Sequence, residues 1–136
     1  MIVLTNTEEI TVQPGSAVVF NDVVLKTVNG AECFRDNTGV VGLRAINGVY
    51  EISFSGNIGG ETEDTPVQLQ MMTGTAPLPE TVMVSTPASS GALNNVAKST
   101  YYKNCMLEFS AISVVNTGST ALTLGAGSSF TVKRVA

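Results

Sequence analysis

"NGVYEISFSGNI", residues 47–58, decides how this chain is to be read. A glycine turn opens directly into a stretch in which Tyr50, Ile52 and Phe54 alternate with Glu51, Ser53 and Ser55. A period of two puts the aromatic and aliphatic side chains on one face of a β-strand and the small polar ones on the other. The strand therefore predicts a sheet with one buried face and one face turned away from the core.

The same grammar recurs along the chain. "EEITVQ", "SAVVF", "DVVLKT", "AECFRD", "VVGLRA", "PVQLQMM", "ETVMVSTP", "TYYKNCMLEFSAISVV", "TALTLG" and "SFTVKRV" are short and rich in β-branched or aromatic residues. Turn dipeptides punctuate them: Pro-Gly at 14–15, Asn-Gly at 29–30 and 47–48, Thr-Gly at 38–39, 73–74 and 117–118. No 3.6-residue apolar period runs for three turns. "GALNNVAKSTYYKN" comes nearest to a helix but carries too many Asn, Ser and Thr. The expectation is an all-β sandwich or barrel of about ten strands. Residues 73–99, with Pro77, Pro79 and Pro87, read as one strand between two long loops.

A chain of 136 residues makes one domain, 1–136, able to bury about two-thirds of its unfolded surface without metal or disulfide. Charged residues are 13% of it, against about 25% in a typical globular protein. A polar but weakly charged surface suits extensive subunit contact, because charge is depleted at interface cores. The net charge of −4, with Lys and Arg scattered singly, argues against nucleic acid as a partner. No apolar run is long enough to span a membrane. The opening "MIVLTNTEEITV" does not read as a secretory signal.

The sequence is poor in chemistry. It has no histidine, which excludes Ser-His-Asp and Cys-His catalysis. "GNIGGE" lacks the lysine of a phosphate loop. One acidic group, Glu61, Glu63 and Asp64 in "GGETEDTP", has the oxygen ligands a hard cation takes, but a solvated loop is the simpler reading. Tyr101 and Tyr102 offer stacking surfaces for a sugar; adjacent tyrosines in a strand more commonly divide between core and rim. Cys33 and Cys105 read as small buried side chains, reduced if the chain folds in a cytoplasm; the sequence leaves a disulfide between them open. No catalytic residue, cofactor or metal is expected.

The order of the landmarks carries a resemblance. "VQPGSAVVF" ends a strand in Phe20. "AECFRDNTGVVGLRAINGVYEISFSGNI" places Phe34 before a turn and an apolar strand, then G-x-Y-x-x-x-F. "VVNTGSTALTLGAGSSFTVKRVA" closes with a strand from Phe130 to the C-terminus. Taken together these resemble the tumour-necrosis-factor-like jelly roll, specifically the globular head of complement component 1q and its bacterial and phage relatives. The spacing is one longer than the family's G-x-Y motif, with Ile52 where the family often has Phe.

The resemblance implies a ten-stranded jelly-roll sandwich that assembles as a homotrimer. It makes Phe20, Phe34, Tyr50, Ile52, Phe54, Phe109 and Phe130 candidates for the core or the three-fold interface. The loops holding Glu61, Glu63, Asp64 and the tyrosines Tyr101 and Tyr102 become weak ligand candidates. A head beginning at Met1, without collagen stalk or signal, suits a bacteriophage virion protein made in the host cytoplasm. Capsid decoration, head fibre and tail-fibre tip are its natural positions, with residues 1–13 as attachment segment or first strand. Its partners would be itself, major capsid or fibre proteins, and a host-surface glycan or protein. The alternative is a bacterial surface or spore-coat adhesion domain. An enzyme is not expected.

Overall fold

A computed structural model describes residues 1–27, 32–34, 38–74, 76–105 and 110–136, with the side chains of 32–34 outside the description. Two antiparallel sheets face each other as a sandwich. The larger sheet is built from β1 (Ile2–Thr5), β2 (Ile10–Val12), β3 (Asp22–Lys26), β6 (Val49–Gly59), β10 (Asn94–Lys103), β12 (Leu122–Leu124) and β13 (Ser129–Arg134). The smaller holds β4 (Glu32–Phe34), β5 (Val41–Leu43), β7 (Val67–Thr73), β8 (Ala76–Pro77), β9 (Met83–Ser85) and β11 (Ser110–Asn116).

The thirteen segments fill ten positions, because three positions are each occupied by two collinear pieces. β12 and β13 lie on the same side of β6, opposite β10. β2 pairs β12 as β1 pairs β13. β8 and β9 share the side of β7 that faces away from β11. β1 lies between β13 and β3, so the first strand and the last are neighbours.

The alternation in residues 49–59 is realised as a long central strand. Tyr50, Ile52, Phe54 and Ile58 are buried, and so are their neighbours Phe130 and Val132 on β13 and Ile2 and Leu4 on β1. From the other sheet come Val41, Leu43, Leu69, Met71, Ile112 and Val114. Phe20 stacks on Phe130 with ring centroids 5.5 Å apart. The Tyr50 hydroxyl keeps a polar partner at the edge of this core, accepting from the Ala45 amide at 3.1 Å. The turns use backbone that only a few residues adopt easily: Gly15, Gly39 and Gly74 have φ of 79°, 69° and 58°, and Asn47 has φ of 58°. At Gly39 a Cβ would lie 2.0 Å from the Val18 carbonyl oxygen, so the close chain crossing there requires glycine. The Asn-Gly turn at 29–30 lies outside the described residues.

Three buried asparagines hold the connections. Asn6 donates to the carbonyls of Glu8 and Gly125 and accepts from the Ser128 amide and hydroxyl. Asn104 donates to the carbonyls of Leu43 and Ala45 and accepts from the Ser110 hydroxyl. Asn116 donates to the carbonyls of Val12 and Thr120 and accepts from the Gly118 amide. Each amide satisfies backbone groups that the strand ladders leave over, and each ties its own segment to another distant in sequence.

Several expectations are corrected. "TYYKNCMLEFSAISVV" is two strands in different sheets, β10 and β11; Asn104 marks the end of the first, since its side chain is drawn inside between the sheets. Residues 73–99 contain β8, a short 3-10 turn at Pro79–Thr81, β9 and the start of β10, which pairs the whole length of β6 from Asn94. A strand in the middle of a sheet can recruit polar residues that have little β-propensity of their own. "SAVVF" forms only one bridge, Ala17 to Val115, and then leaves the sheet to bury Phe20. Cys105 is exposed, because it follows β10 beyond the core. The side chains of Cys33 and Phe34, and all of Phe109, lie outside the described residues.

Phe54→Ala removes a ring from the centre of the sandwich and should cost about 3–5 kcal/mol of unfolding free energy in urea titration. Asn116→Ala leaves two carbonyls and an amide without their partner and should cost at least about 2 kcal/mol by the same measurement.

Candidate functional site

The outward face of the larger sheet follows from the core face by alternation. Residues directly opposite across an antiparallel ladder share a face. One row therefore reads Leu25, Val3, Thr131, Ser53, Ser99 across β3, β1, β13, β6 and β10. The next reads Ser129, Ser55, Ala97, and the one on the other side Lys133, Glu51, Tyr101. The Ser53 and Ser99 hydroxyls bond each other at 2.9 Å. Asn95 donates to the Asn57 side-chain carbonyl at 3.2 Å, continuing the polar ladder.

The middle of this face is flat, small and uncharged. Glu51 and Lys133 sit opposite each other on adjacent strands at one margin, and Asp22 lies opposite Thr5 on the edge strand at another. A shallow groove of about 300 Å³ runs over β6 and β10, lined by Ser53, Ser55, Ser99 and Ser129 together with Phe54, Ala97 and Lys98. Tyr101 stands out from the margin with 66% of its surface exposed. On the far side of the sheet, Val23, Val24 and Leu25 of edge strand β3 are exposed. Unlike the small residues between them, these are aliphatic and leave an apolar border on an open sheet edge.

The candidates named from sequence fall on the two sides of this sheet. Phe20, Tyr50, Ile52, Phe54 and Phe130 are all buried within the chain, so the outward face is formed by their neighbours in sequence. Tyr101 points outward, opposite Glu51; Tyr102 points inward, opposite Tyr50, and packs half-buried against the core. Val3, Ser53, Ser55, Ser99 and Thr131 were not singled out from sequence. Their signal was present as the uncharged alternate positions of β6, but a run of serines and threonines reads as ordinary solvated surface until the strands are set side by side.

Glu61, Glu63 and Asp64 are exposed on the connection from β6 to β7. Among the described residues no three carboxylates or thiols converge as a metal site would require. This connection is instead stitched to the one between β9 and β10: the Asp64 amide donates to the Pro87 carbonyl at 2.9 Å, and the Gly91 amide to the Gly60 carbonyl at 2.9 Å. Gly59 passes so close that a Cβ would lie 2.2 Å from the Ala92 carbonyl oxygen. The two long connections named from sequence thus meet at one end of the sandwich, beside the 117–121 turn.

With this geometry in hand, comparison with solved structures is direct. The globular domain of zebrafish complement 1qA superposes with a TM-score of 0.72 at 15% identity, over 99% of this chain and 96% of that one. Eiger TNF from S. frugiperda gives 0.72 at 12% identity, over 99% and 91%. The fold is the TNF-like jelly roll. PRD1 vertex protein P5 also superposes, at 0.53 and 14% identity, over 99% and 96%. No protein-family model matches the chain, and no curated protein matches it by sequence.

Cys105 follows β10 as an exposed free thiol. Alkylation of the native protein should therefore modify Cys105, read by peptide mapping, and Cys105→Ser should change stability by no more than about 0.5 kcal/mol.

Proposed function

We propose that this protein is a non-enzymatic structural component of a virion, a homotrimer that decorates a capsid or caps a head or tail fibre. The observation that carries the reading is the outward face of the larger sheet. Its centre offers Val3, Ser53, Ser55, Ser99, Thr131 and Ser129, small uncharged side chains that leave little to desolvate or immobilise, with Lys98 at the wall of the groove. Desolvation and immobilisation are both costs that association otherwise has to overcome. Leu25 and Val24 on one border and Tyr101 on the other supply the apolar and aromatic surface that anchors interfaces. Three copies turned about an axis along this face bury it and place each β3 and β10 edge against a neighbour, which also covers open sheet edges.

The likeness to PRD1 vertex protein P5 supports the virion setting, since a particle vertex uses the same fold. The chain's own residues supply little for catalysis: there is no histidine anywhere in it, and the described acids do not converge. The connections at the end carrying Glu61, Glu63 and Asp64 contain no Trp, Tyr or Arg. Any host glycan or protein held there by one subunit is held weakly, and useful attachment relies on several copies acting together.

Light scattering on the purified protein should give three times the 14.1 kDa chain mass. Ser53→Arg, which sets a charge in the middle of the face, should reduce that mass to the monomer while circular dichroism stays that of a β protein. A wild-type monomer at micromolar concentration would falsify the trimer. Mass spectrometry of particles from the parent phage, with and without the gene, tests the virion position.

A further inference from the structure

The sandwich is charged unequally along its length. β6 runs from one end at Val49 to the other at Gly59. At the Gly59 end lie Glu61, Glu63 and Asp64, while Glu8 and Glu9 stand in the break between β1 and β2, part-way along the sheet. None of residues 6–9, 60–66, 86–93 or 117–121 is a lysine or arginine. At the Val49 end the cations gather: Arg44 just after β5, Lys103 closing β10, and Lys133 and Arg134 closing β13. All four are exposed. A chain of net charge −4 thus concentrates most of its described cations at one end.

Two aliphatic side chains lie at the same end as these cations. Ile46 is 53% exposed and Val135 is 43% exposed. Neither belongs to a loose tail. The Val49 amide donates to the Ala136 carbonyl, the Val135 amide to the Val49 carbonyl, and the Asn47 amide to the Asn104 carbonyl. The end is therefore a hydrogen-bonded platform that exposes Ile46 and Val135 at the same end as Arg44, Lys103, Lys133 and Arg134, with Arg134 donating to the Ala136 carbonyl and Glu51 opposite Lys133.

We infer that this end is the docking face of the protein, and that its partner is an acidic protein surface bearing exposed aliphatic side chains. The inference rests on the structural-component reading above and adds to it an orientation and a partner chemistry. Several cations at one end steer an acidic partner and fix its register, while desolvated aliphatic residues at the same end supply affinity. A continuous phosphate backbone has no use for Ile46 and Val135, and Glu51 interrupts the basic surface it would track. The acidic end is left facing away from the partner.

The test uses the whole chain and a fluorescein-labelled synthetic peptide that alternates glutamate with leucine, read by anisotropy. A glutamate-only peptide and a short DNA duplex are run beside it. The leucine-containing peptide should bind tightest, and more weakly as NaCl rises from about 50 to about 500 mM. The double change Arg44→Glu, Lys103→Glu should weaken it about tenfold or more, and Ile46→Ser should weaken it also. The triple change Glu61→Gln, Glu63→Gln, Asp64→Asn at the opposite end should leave it unaltered. Arg44→Gln with Lys103→Gln serves if the reversal lowers the melting temperature. The proposal is overturned if the peptide does not bind, if the duplex binds as tightly, or if the opposite-end changes weaken binding equally. It is also overturned if the protein alone gains mass at low salt through both ends, which would make a second copy's acidic end the occupant. Light scattering on the same samples separates the two readings. A trimer that fails to bind removes the docking face alone. A monomer that binds removes the trimer and leaves the docking face.

Discussion

Strand β6 is the constraint on which the rest of the structure depends. It pairs with β10 along one side and with β13 and β12 along the other, so a single stretch of backbone aligns three other segments of the chain. Because its side chains alternate, setting Tyr50, Ile52 and Phe54 against the smaller sheet also sets Glu51, Ser53 and Ser55 on the opposite face. A slip of one residue would exchange the two sets, burying serines and exposing aromatics. The core and the candidate assembly surface are therefore two consequences of one register.

Long antiparallel pairing leaves backbone groups to satisfy where the ladders stop. Asn6, Asn104 and Asn116 do this from inside the protein, each donating to two carbonyls and tying its own segment to one distant in sequence. Asn104 and Asn116 lie at opposite ends of the sandwich, next to the two ends of the segment that includes β11. The connections at each end are held by buried amides, which frees their outward residues to differ in charge. That is how a rigid jelly roll carries acid at one end and base at the other.

The architecture was legible because its signals are local. Period-two alternation, turn dipeptides and the missing helical period define strands without knowledge of their partners, and the succession of Phe20, Tyr50, Phe54 and Phe130 carried the resemblance to the TNF-like jelly roll. The misread stretches were those whose conformation is imposed from elsewhere. Asn94–Ser99 is polar and reads as loop, but becomes strand because β6 offers it a full ladder. Residues 16–20 read as a strand, but Phe20 is drawn to Phe130 instead.

Taken by itself, the sequence determined that this protein is all-β, which side chains turn inward along its main strand, and that its surface is sparing with charge. These follow from side-chain period and composition, which belong to the chain before it folds. Only the tertiary structure decided that Val3, Ser53, Ser99 and Thr131 make one neutral row, that Cys105 is exposed, and that Arg44, Lys103, Lys133 and Arg134 fall at the same end as Ile46 and Val135. Those groupings join residues tens of positions apart. Strand pairing brings them together, and no local pattern in the chain encodes which strands will be neighbours.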